Sequence, residues 1–189
     1  ASDFHGVKDP IVARRWIGYT ESAQLMSFCP EGSKVHFAAG CLRDRARDWW
    51  ESVGDSLGAS VVEAMTWSDF VTRFRAEFAP AVELQQLARE FLDMRQTTET
   101  VAEITAKFRE RALLVPQYAG DEDMRRTRYH DMLRADIREH VSFSACPTLE
   151  SMIVRARERE IDLEHIRKRK AETGQVVGAS GKKPKESDG

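Results

Sequence analysis

The sequence predicts an all-α protein built from two small helical-bundle domains. Its apolar residues recur at intervals of three and four positions, which is the spacing of one face of an amphipathic helix. No segment shows sustained alternation of apolar and polar residues, and asparagine is absent, so the Asn-Gly signal of a tight hairpin is missing. Capping residues and prolines mark several helix starts. These three observations favour helices over strands along the chain.

The first helix is predicted from Pro10 to about Phe28. Asp9 offers a carboxylate at the N-cap, and a proline at the first helical position lacks only an N–H that would have no intrahelical partner. Pro30 and Gly32 follow, and neither residue extends a helix readily. This helix therefore has a defined start and a defined end.

Two further helices are predicted at residues 33–42 and 43–53, followed by a loop at residues 54–59. The second of these helices contains the adjacent pair Trp49 and Trp50. Neighbouring residues on a helix point about 100° apart. We therefore expect one indole to lie deep in the core and the other to lie at its side.

The last helix of the first domain is predicted from Trp67 to Phe78. Thr66 and Asp69 form a start that resembles a capping box. Positions 67, 70, 71, 74 and 78 carry large apolar residues and follow one face of an amphipathic helix. No cofactor site requires that rhythm, so the rings are predicted to pack in a core.

Pro80 marks the predicted boundary between the domains, because the sequence becomes richer in Arg and Glu after it. The predicted organisation is a first domain at residues 1–80, a second domain at residues 81–172 and a flexible tail at residues 173–189. The tail has four glycines and no aromatic residue, so it cannot bury enough apolar surface to become ordered.

Caps and breaks also divide the second domain into helices. Thr100 and Glu103 form a capping box ahead of a helix that contains Phe108. Pro116 ends that helix, and Pro147 precedes a long last helix. The large aromatic residues of both domains are predicted to form the structural core: Trp16, Trp49, Trp50, Trp67, Phe70, Phe74, Phe78, Phe91 and Phe108.

Charge and composition argue against several classes of function. The chain has 29 basic and 31 acidic residues and a net charge of −2, unlike a protein whose folded body mainly neutralises phosphates. No apolar stretch approaches the roughly 18 residues of a membrane-spanning helix. The three cysteines do not fit a secreted disulfide framework. We therefore expect a cytoplasmic protein whose partner is protein, with no membrane association.

The sequence contains no signature of catalysis or of a bound cofactor. Nucleophile-elbow, P-loop, dinucleotide-binding and zinc-protease motifs are all missing. The five histidines and three cysteines lack zinc-ligand spacing, so no metal site is predicted. The acidic run at residues 121–123 is better explained by the positive end of a helix dipole than by a bound cation. We therefore predict a protein that is not an enzyme and uses no cofactor.

The order and spacing of the large residues resemble the Gag capsid of Gypsy-type long-terminal-repeat retrotransposons and of domesticated Arc-like relatives. The resemblance covers about residues 4–165. The first domain carries it through Phe4, Gly6, Asp9, Pro10, Trp16, Leu42, Ala46, Trp49, Trp50, Trp67, Phe70, Phe74 and Phe78. The second domain carries it through Phe91, Gln96, Val101, Phe108, Tyr129, Leu133 and the helix start at Pro147.

This resemblance implies a structural capsid protein that self-assembles into virus-like particles enclosing the RNA of the element. The expected homo-oligomer is a capsid lattice, in which second domains form dimers and first domains form rings. RNA contact is expected only indirectly, through a nucleocapsid region that this sequence does not contain. Two alternatives stay open: a domesticated adaptor or scaffold that binds partner peptides, and a direct RNA binder.

The resemblance also assigns roles to individual residues of the second domain. Gln96, Thr100 and Glu103 correspond to the retroviral homology region, and they are expected to fix the start of the Phe108 helix for folding and not for ligand binding. Gln96 taken alone is equally compatible with an exposed loop amide.

Three residues depart from the family pattern. Asp44 stands where the family usually has glycine, Met132 does the same before Leu133, and Thr97 replaces the glycine that follows the matching glutamine in retroviral capsids. The backbone conformation at these three positions is therefore the point at which this chain is expected to differ.

Overall fold

The computed structural model describes residues 2–178, and the side chains of residues 2–172. Within that range the chain consists of α-helices joined by short segments, with no β-strand. Phe4 and Leu42 form an isolated parallel bridge. The predicted all-α fold is therefore confirmed.

The helices follow the order that the caps and breaks predict, with several differences in their ends. The last helix continues to Gly178, beyond the predicted start of the tail at Thr173, whereas residues 179–189 lie outside the described part of the chain. The helices are α1 (Pro10–Met26), α2 (Lys34–Ala39), α3 (Asp44–Leu57), α4 (Ala59–Glu63), α5 (Trp67–Phe78), α6 (Ala81–Asp93), α7 (Val101–Ala112), α8 (Pro116–Ala119), α9 (Glu122–Met132), α10 (Ala135–Arg138) and α11 (Leu149–Gly178), with a 3-10 turn at Glu31–Ser33.

The chain divides into two compact units. The first unit comprises the chain up to Asp93 together with Glu110–Val115, and the second comprises Met94–Arg109 and the chain from Pro116 onward. The backbone of α6 thus belongs to the first unit, although the predicted boundary lies before it at Pro80. No linker separates α5 from α6 at this point. The carbonyl oxygen of Pro80 accepts from the backbone N–H groups of residues 83 and 84, so α6 begins directly after Pro80.

One predicted loop is mostly helical in the structure, and the backbone explains why. The loop predicted at residues 54–59 is wrong, since α3 continues through Gly54 to Leu57. Gly58 ends the helix instead, with φ of 84° and its N–H donating to the carbonyl oxygen of Gly54 at 2.9 Å. Glycine adopts a positive φ readily because it has no Cβ, and α4 begins immediately after it.

Phe74 lies at the centre of an aromatic cluster in the first unit. Its ring centroid is 4.8 Å from that of Phe4, 4.7 Å from that of Trp16 and 4.8 Å from that of Phe78. Phe70 stacks beside it with a centroid distance of 5.9 Å. All five rings are buried. Residues from Phe4 to Ala79 contribute to this apolar core.

The adjacent tryptophans of α3 do not divide into one deep and one lateral residue, so that expectation is wrong. Both are half-buried, because the innermost position of α3 belongs to Ala46, which is fully buried. Trp49 meets the ring of Phe78 edge-on at 5.1 Å, and Trp50 meets Phe70 edge-on at 5.2 Å. The two indoles therefore flank the core from opposite sides of Ala46.

The other two tryptophans, Trp16 and Trp67, donate hydrogen bonds from their indole N–H groups to other segments of the first unit. Trp67 is half-buried, stacks on Phe70 at 5.3 Å and donates to a carboxylate oxygen of Glu21 at 3.0 Å. Trp16 is buried and donates to the carbonyl oxygen of Ser2 at 2.8 Å. Each indole thus satisfies its one polar group.

The segment before α1 is hydrogen-bonded to the junction between α2 and α3. The N–H of Phe4 donates to the carbonyl oxygen of Cys41 at 3.0 Å, and the N–H of Arg43 donates back to the carbonyl oxygen of Phe4 at 2.8 Å. Gly6, with φ of 89°, then passes so close to α3 that an added Cβ would lie 2.7 Å from the backbone nitrogen of Ala46 and 2.7 Å from the Cβ of Arg45. Only glycine fits at this position.

Asp44 adopts a backbone conformation that glycine adopts more easily. Its φ is 48°, in the left-handed region, where Asp is tolerated better than most side chains. Its carboxylate lies 2.5 Å from the Nδ1 atom of His5. Met132 and Thr97, the other two departures, are not among the positive-φ residues of the described chain, so they do not need glycine there.

The core of the second unit is organised around Tyr129. This side chain is fully buried, and its ring meets that of Phe108 edge-on at 5.3 Å. Its hydroxyl lies 2.7 Å from the hydroxyl of Thr105, which in turn donates to the carbonyl oxygen of Val101 at 2.5 Å. Burial raises the pKa of Tyr129 to about 12. The hydroxyl therefore stays protonated and serves as a structural link between α9 and α7.

We predict that Gly6→Ala destabilises the protein by roughly 3 kcal/mol, because alanine would adopt an unfavourable φ and press its Cβ into α3. Urea unfolding followed by tryptophan fluorescence measures the change.

Gly18→Ala is the matched control for this variant. Gly18 lies in α1 with nothing within 4 Å of the added Cβ. The control should gain roughly 0.5–1 kcal/mol, since alanine is the better helix former. Equal stabilities for the two variants would show that Gly6 is not needed at the α3 contact.

Candidate functional site

Gln96, which the sequence links to the retroviral homology region, is a buried connector in the second unit. Its own N–H donates to the carbonyl oxygen of Met132 at 2.7 Å. Its side-chain amide donates to the carbonyl oxygen of Glu99 at 2.9 Å and accepts from the N–H of Arg134 at 3.3 Å. Gln96 is 5% exposed, so it is not a loop amide in solvent. It joins the segment before α7 to the junction of α9 and α10.

Thr100 and Glu103 form the predicted capping box at the start of α7. The N–H of Glu103 donates to the hydroxyl of Thr100 at 3.2 Å, and the N–H of Thr100 donates to the Glu103 carboxylate at 2.8 Å. The backbone N–H and the hydroxyl of Thr100 lower the pKa of Glu103 from its ordinary value. Both residues thus bond to the backbone of the helix start.

A further carboxylate at this helix start comes from α11. Both oxygens of Glu160 accept from the N–H of Val101, each at 3.0 Å. A negative charge is favourable at the positive end of a helix dipole. Arg134 approaches the same carboxylate at 4.0 Å. The start of α7 is therefore held by its own sequence and by α11.

Glu160 is not among the residues predicted for this site, although the sequence contains a signal for it. Met152, Ile153 and Ala156 are buried on the inner face of α11, and Glu160 occupies the next inward position of the helical repeat. An acidic residue that continues an apolar stripe requires a partner, because a buried charge is costly unless it is hydrogen-bonded.

Glu99 organises the turn between Gln96 and Thr100. One of its carboxylate oxygens accepts from the Lys107 ammonium group at 2.9 Å, and the other accepts from the backbone N–H of Thr97 at 3.1 Å. The Lys107 hydrogen bond, followed by bonds from backbone N–H groups, lowers the pKa of Glu99 to about 2. The turn is thus held by an ionised carboxylate.

The first unit contains a groove that was not predicted from the sequence. Its volume is about 980 Å³. The apolar walls come from α2, α3 and α4 and contain Phe37, Trp50 and Val62, while Asp55 and Glu63 are among its polar residues. The exposed side of Trp50 is therefore a wall of this groove, which explains why that indole is only half-buried.

A smaller pocket lies at the end of α1. Its volume is about 420 Å³, and Leu25, Phe28 and Trp67 contribute apolar walls to it. Cys29 lines both this pocket and the groove.

No cluster of three or more His, Cys, Asp and Glu side chains in the described part of the chain could hold a metal ion. None of its helices combines the length and the apolar character that crossing a bilayer requires.

We predict that Gln96→Ala lowers the free energy of unfolding by roughly 2 kcal/mol, because it leaves the backbone groups of Glu99 and Arg134 without their side-chain partner. Gln86→Ala, at an exposed position of α6, is the control and should change stability by less than about 0.5 kcal/mol. Thermal or urea unfolding compares the two. Equal losses would contradict a connecting role for Gln96.

We also predict an acid-sensitive contribution from Glu99. Because its pKa is lowered to about 2, its ionised form stabilises the folded state above its ordinary pKa of 4.5, and this stabilisation is lost as the pH falls toward 2. Urea unfolding between pH 5 and pH 2 should show a shallower decline for Glu99→Gln and for Lys107→Gln than for the unmodified chain. An unchanged decline in both variants would contradict this assignment.

Residues 1–79 match the family model described as retrotransposon-derived protein PEG10, N-terminal capsid-like domain. A comparison with curated protein sequences gives no significant match.

Two solved structures of Drosophila proteins resemble the chain. The dArc2 capsid has a TM-score of 0.70 at 20% identity, over 86% of this chain and 95% of that chain. The dArc1 capsid has a TM-score of 0.58 at 22% identity, over 86% of this chain and 94% of that chain. At these identities the likeness concerns the fold. Residues 1–79 are therefore similar to the PEG10 capsid-like domain, and the chain shares the fold of the Arc capsids.

Proposed function

We propose that this chain is the structural capsid protein of a Gypsy-type retrotransposon Gag and that it self-assembles into virus-like particles enclosing the RNA of the element. One observation carries the proposal. The residues that build the buried aromatic core, from Phe4 to Ala79, coincide with the residues that match the capsid-like domain, 1–79. The part of the chain that forms the aromatic core is therefore the part that matches a capsid-like domain.

The polar network of the second unit supports a structural role. Gln96, Thr100, Glu103 and Glu160 all bind backbone groups of the chain itself. Side chains committed to holding a helix start are not available for acid–base or nucleophilic chemistry. The protein we propose is accordingly not an enzyme, and its activity is assembly.

Assembly of a shell from this chain would use weak contacts that multiply in a closed lattice. We assign dimer contacts to the second unit and ring contacts to the first. The near balance of charge, with a net charge of −2, suits self-association because identical copies repel one another only weakly. RNA would then be recruited through another region of the Gag polyprotein, and the particles would form in the cytoplasm.

The groove of the first unit supports a second candidate function, that of a domesticated adaptor which binds partner peptides. Its volume of about 980 Å³ is in the range of known ligand pockets, and its walls combine apolar and acidic residues. Selection of peptides from a display library on the unmodified chain, with Val62→Glu as the control, tests this candidate. An open reading frame followed by protease and reverse transcriptase would favour the capsid function instead.

We predict particles from the purified chain that form as protein concentration and salt are raised, visible by negative-stain electron microscopy. The same particles should form after nuclease treatment, because the proposal assigns RNA contact to another region. Monomers under every condition would contradict self-assembly. Assembly only in the presence of RNA would favour a direct RNA binder.

A further inference from the structure

The side of α11 opposite its buried face carries a row of exposed residues. The buried face contains Met152, Ile153 and Ala156. The exposed row recurs at intervals of four, three and four positions and is here called the α11 stripe: Val154, Glu158, Ile161 and His165. Val154 is 53% exposed and Ile161 is 52% exposed. Two aliphatic side chains on one helix face are thus still half in solvent.

Charged residues flank the α11 stripe in a definite order along the helix. Arg155 and Arg157 come first, and Asp162 and Glu164 follow each of them after seven positions, which is about two helical turns. Arg155 and Asp162 therefore lie along one edge of the stripe, and Arg157 and Glu164 lie along the other. All four are exposed, and no ion pair in the described part of the chain involves Arg157, Asp162 or Glu164. The face thus has a basic half and an acidic half.

We propose that α11 pairs with α11 of a second copy of the chain in an antiparallel arrangement, with the two-fold axis between Glu158 and Ile161. In this register Arg155 faces Asp162 of the other copy, and Arg157 faces Glu164 of the other copy. The two-fold axis makes each pair occur twice. The pairing names the surface for the dimer contact of the second unit, and it rests on the self-association in the proposed function.

The charge pattern favours a second copy as the occupant. A two-fold contact uses one self-complementary patch, and reversing the direction of α11 brings its basic half against its acidic half. The stripe itself favours the antiparallel direction. Antiparallel pairing sets Val154 against His165 and Glu158 against Ile161, whereas an in-register parallel pair would set Glu158 against its own copy, and Lys168 likewise.

The contact is weak in an isolated pair. Each copy contributes two aliphatic side chains that are already half-buried, so the buried area stays below the about 1,200 Å² at which stable specific interfaces begin. Exposed ion pairs contribute little individually. A weak pair suits a shell, in which many such contacts act together.

Charge reversal at the edges of the stripe tests the pairing. The acidic variant carries Arg155→Glu with Arg157→Glu, and the basic variant carries Asp162→Arg with Glu164→Arg. Each variant should dimerise about tenfold more weakly than the unmodified chain in sedimentation velocity over a range of concentrations, because attractive pairs become repulsive. Both should unfold at nearly the unmodified temperature, since the altered positions are exposed.

An equimolar mixture of the acidic and basic variants should recover the dimer, because each reversed charge then meets an opposite charge. The control is Arg73→Glu with Arg89→Glu, which makes the same change of net charge as the acidic variant at exposed positions of α5 and α6. The control should dimerise as the unmodified chain does. Equal weakening in the control, or no recovery in the mixture, would overturn the pairing.

Cross-linking reports the direction of the two helices. In a chain with Cys29→Ser and Cys41→Ser, which removes the partly exposed cysteines, Val154→Cys and His165→Cys are introduced separately. A short bismaleimide should link the two chains to each other when they are mixed. Neither chain should link efficiently to itself, since its two cysteines lie roughly 16 Å apart along the antiparallel helices. Efficient self-linking of both chains would indicate parallel helices and overturn the antiparallel arrangement.

Electron microscopy separates this pairing from the proposed function. The acidic variant alone should form few particles, and its mixture with the basic variant should form them again. Particles that form equally well from each variant alone would overturn the α11 contact and leave the capsid function standing. A chain that neither dimerises nor forms particles at any concentration would overturn both.

Discussion

The first unit depends on the closure of its amino-terminal segment onto the start of α3. Phe4 enters the aromatic cluster only because its backbone is bonded on both sides to the α2–α3 junction. Gly6 allows that approach by presenting no side chain to Ala46. The rings of Phe4 and Trp16 then pack against that of Phe74. The close approach of Gly6 to α3 is therefore required for Phe4 to join the aromatic core around Phe74.

The second unit depends on hydrogen bonds from side chains to backbone groups. The first residues of α7 and the junction between α9 and α10 have backbone groups that lack helical partners. Gln96, Glu103 and Glu160 supply those partners. These bonds join the start of α7 to α11, and they join the segment before α7 to the junction of α9 and α10.

Local signals in the sequence predict the helices well, and contacts over long sequence separations explain what the signals leave out. The cap at Asp9 and the capping box at Thr100 are visible in the sequence because each acts within a few residues. The exposure of Trp50 depends on a groove formed by three helices, and no periodicity encodes that groove. Glu160 acts on a residue 59 positions away. The left-handed Asp44 was foreseeable only as a departure from a family pattern.

The carboxylate of Glu160 joins α11 to the start of α7. The helix continues from this residue to Gly178, a further 18 residues, or about 27 Å at 1.5 Å per residue. On that extension Arg167 lies 3.9 Å from the carboxylate of Asp136 in α10. One helix therefore contacts both the start of α7 and α10, and its outer turns extend past these contacts.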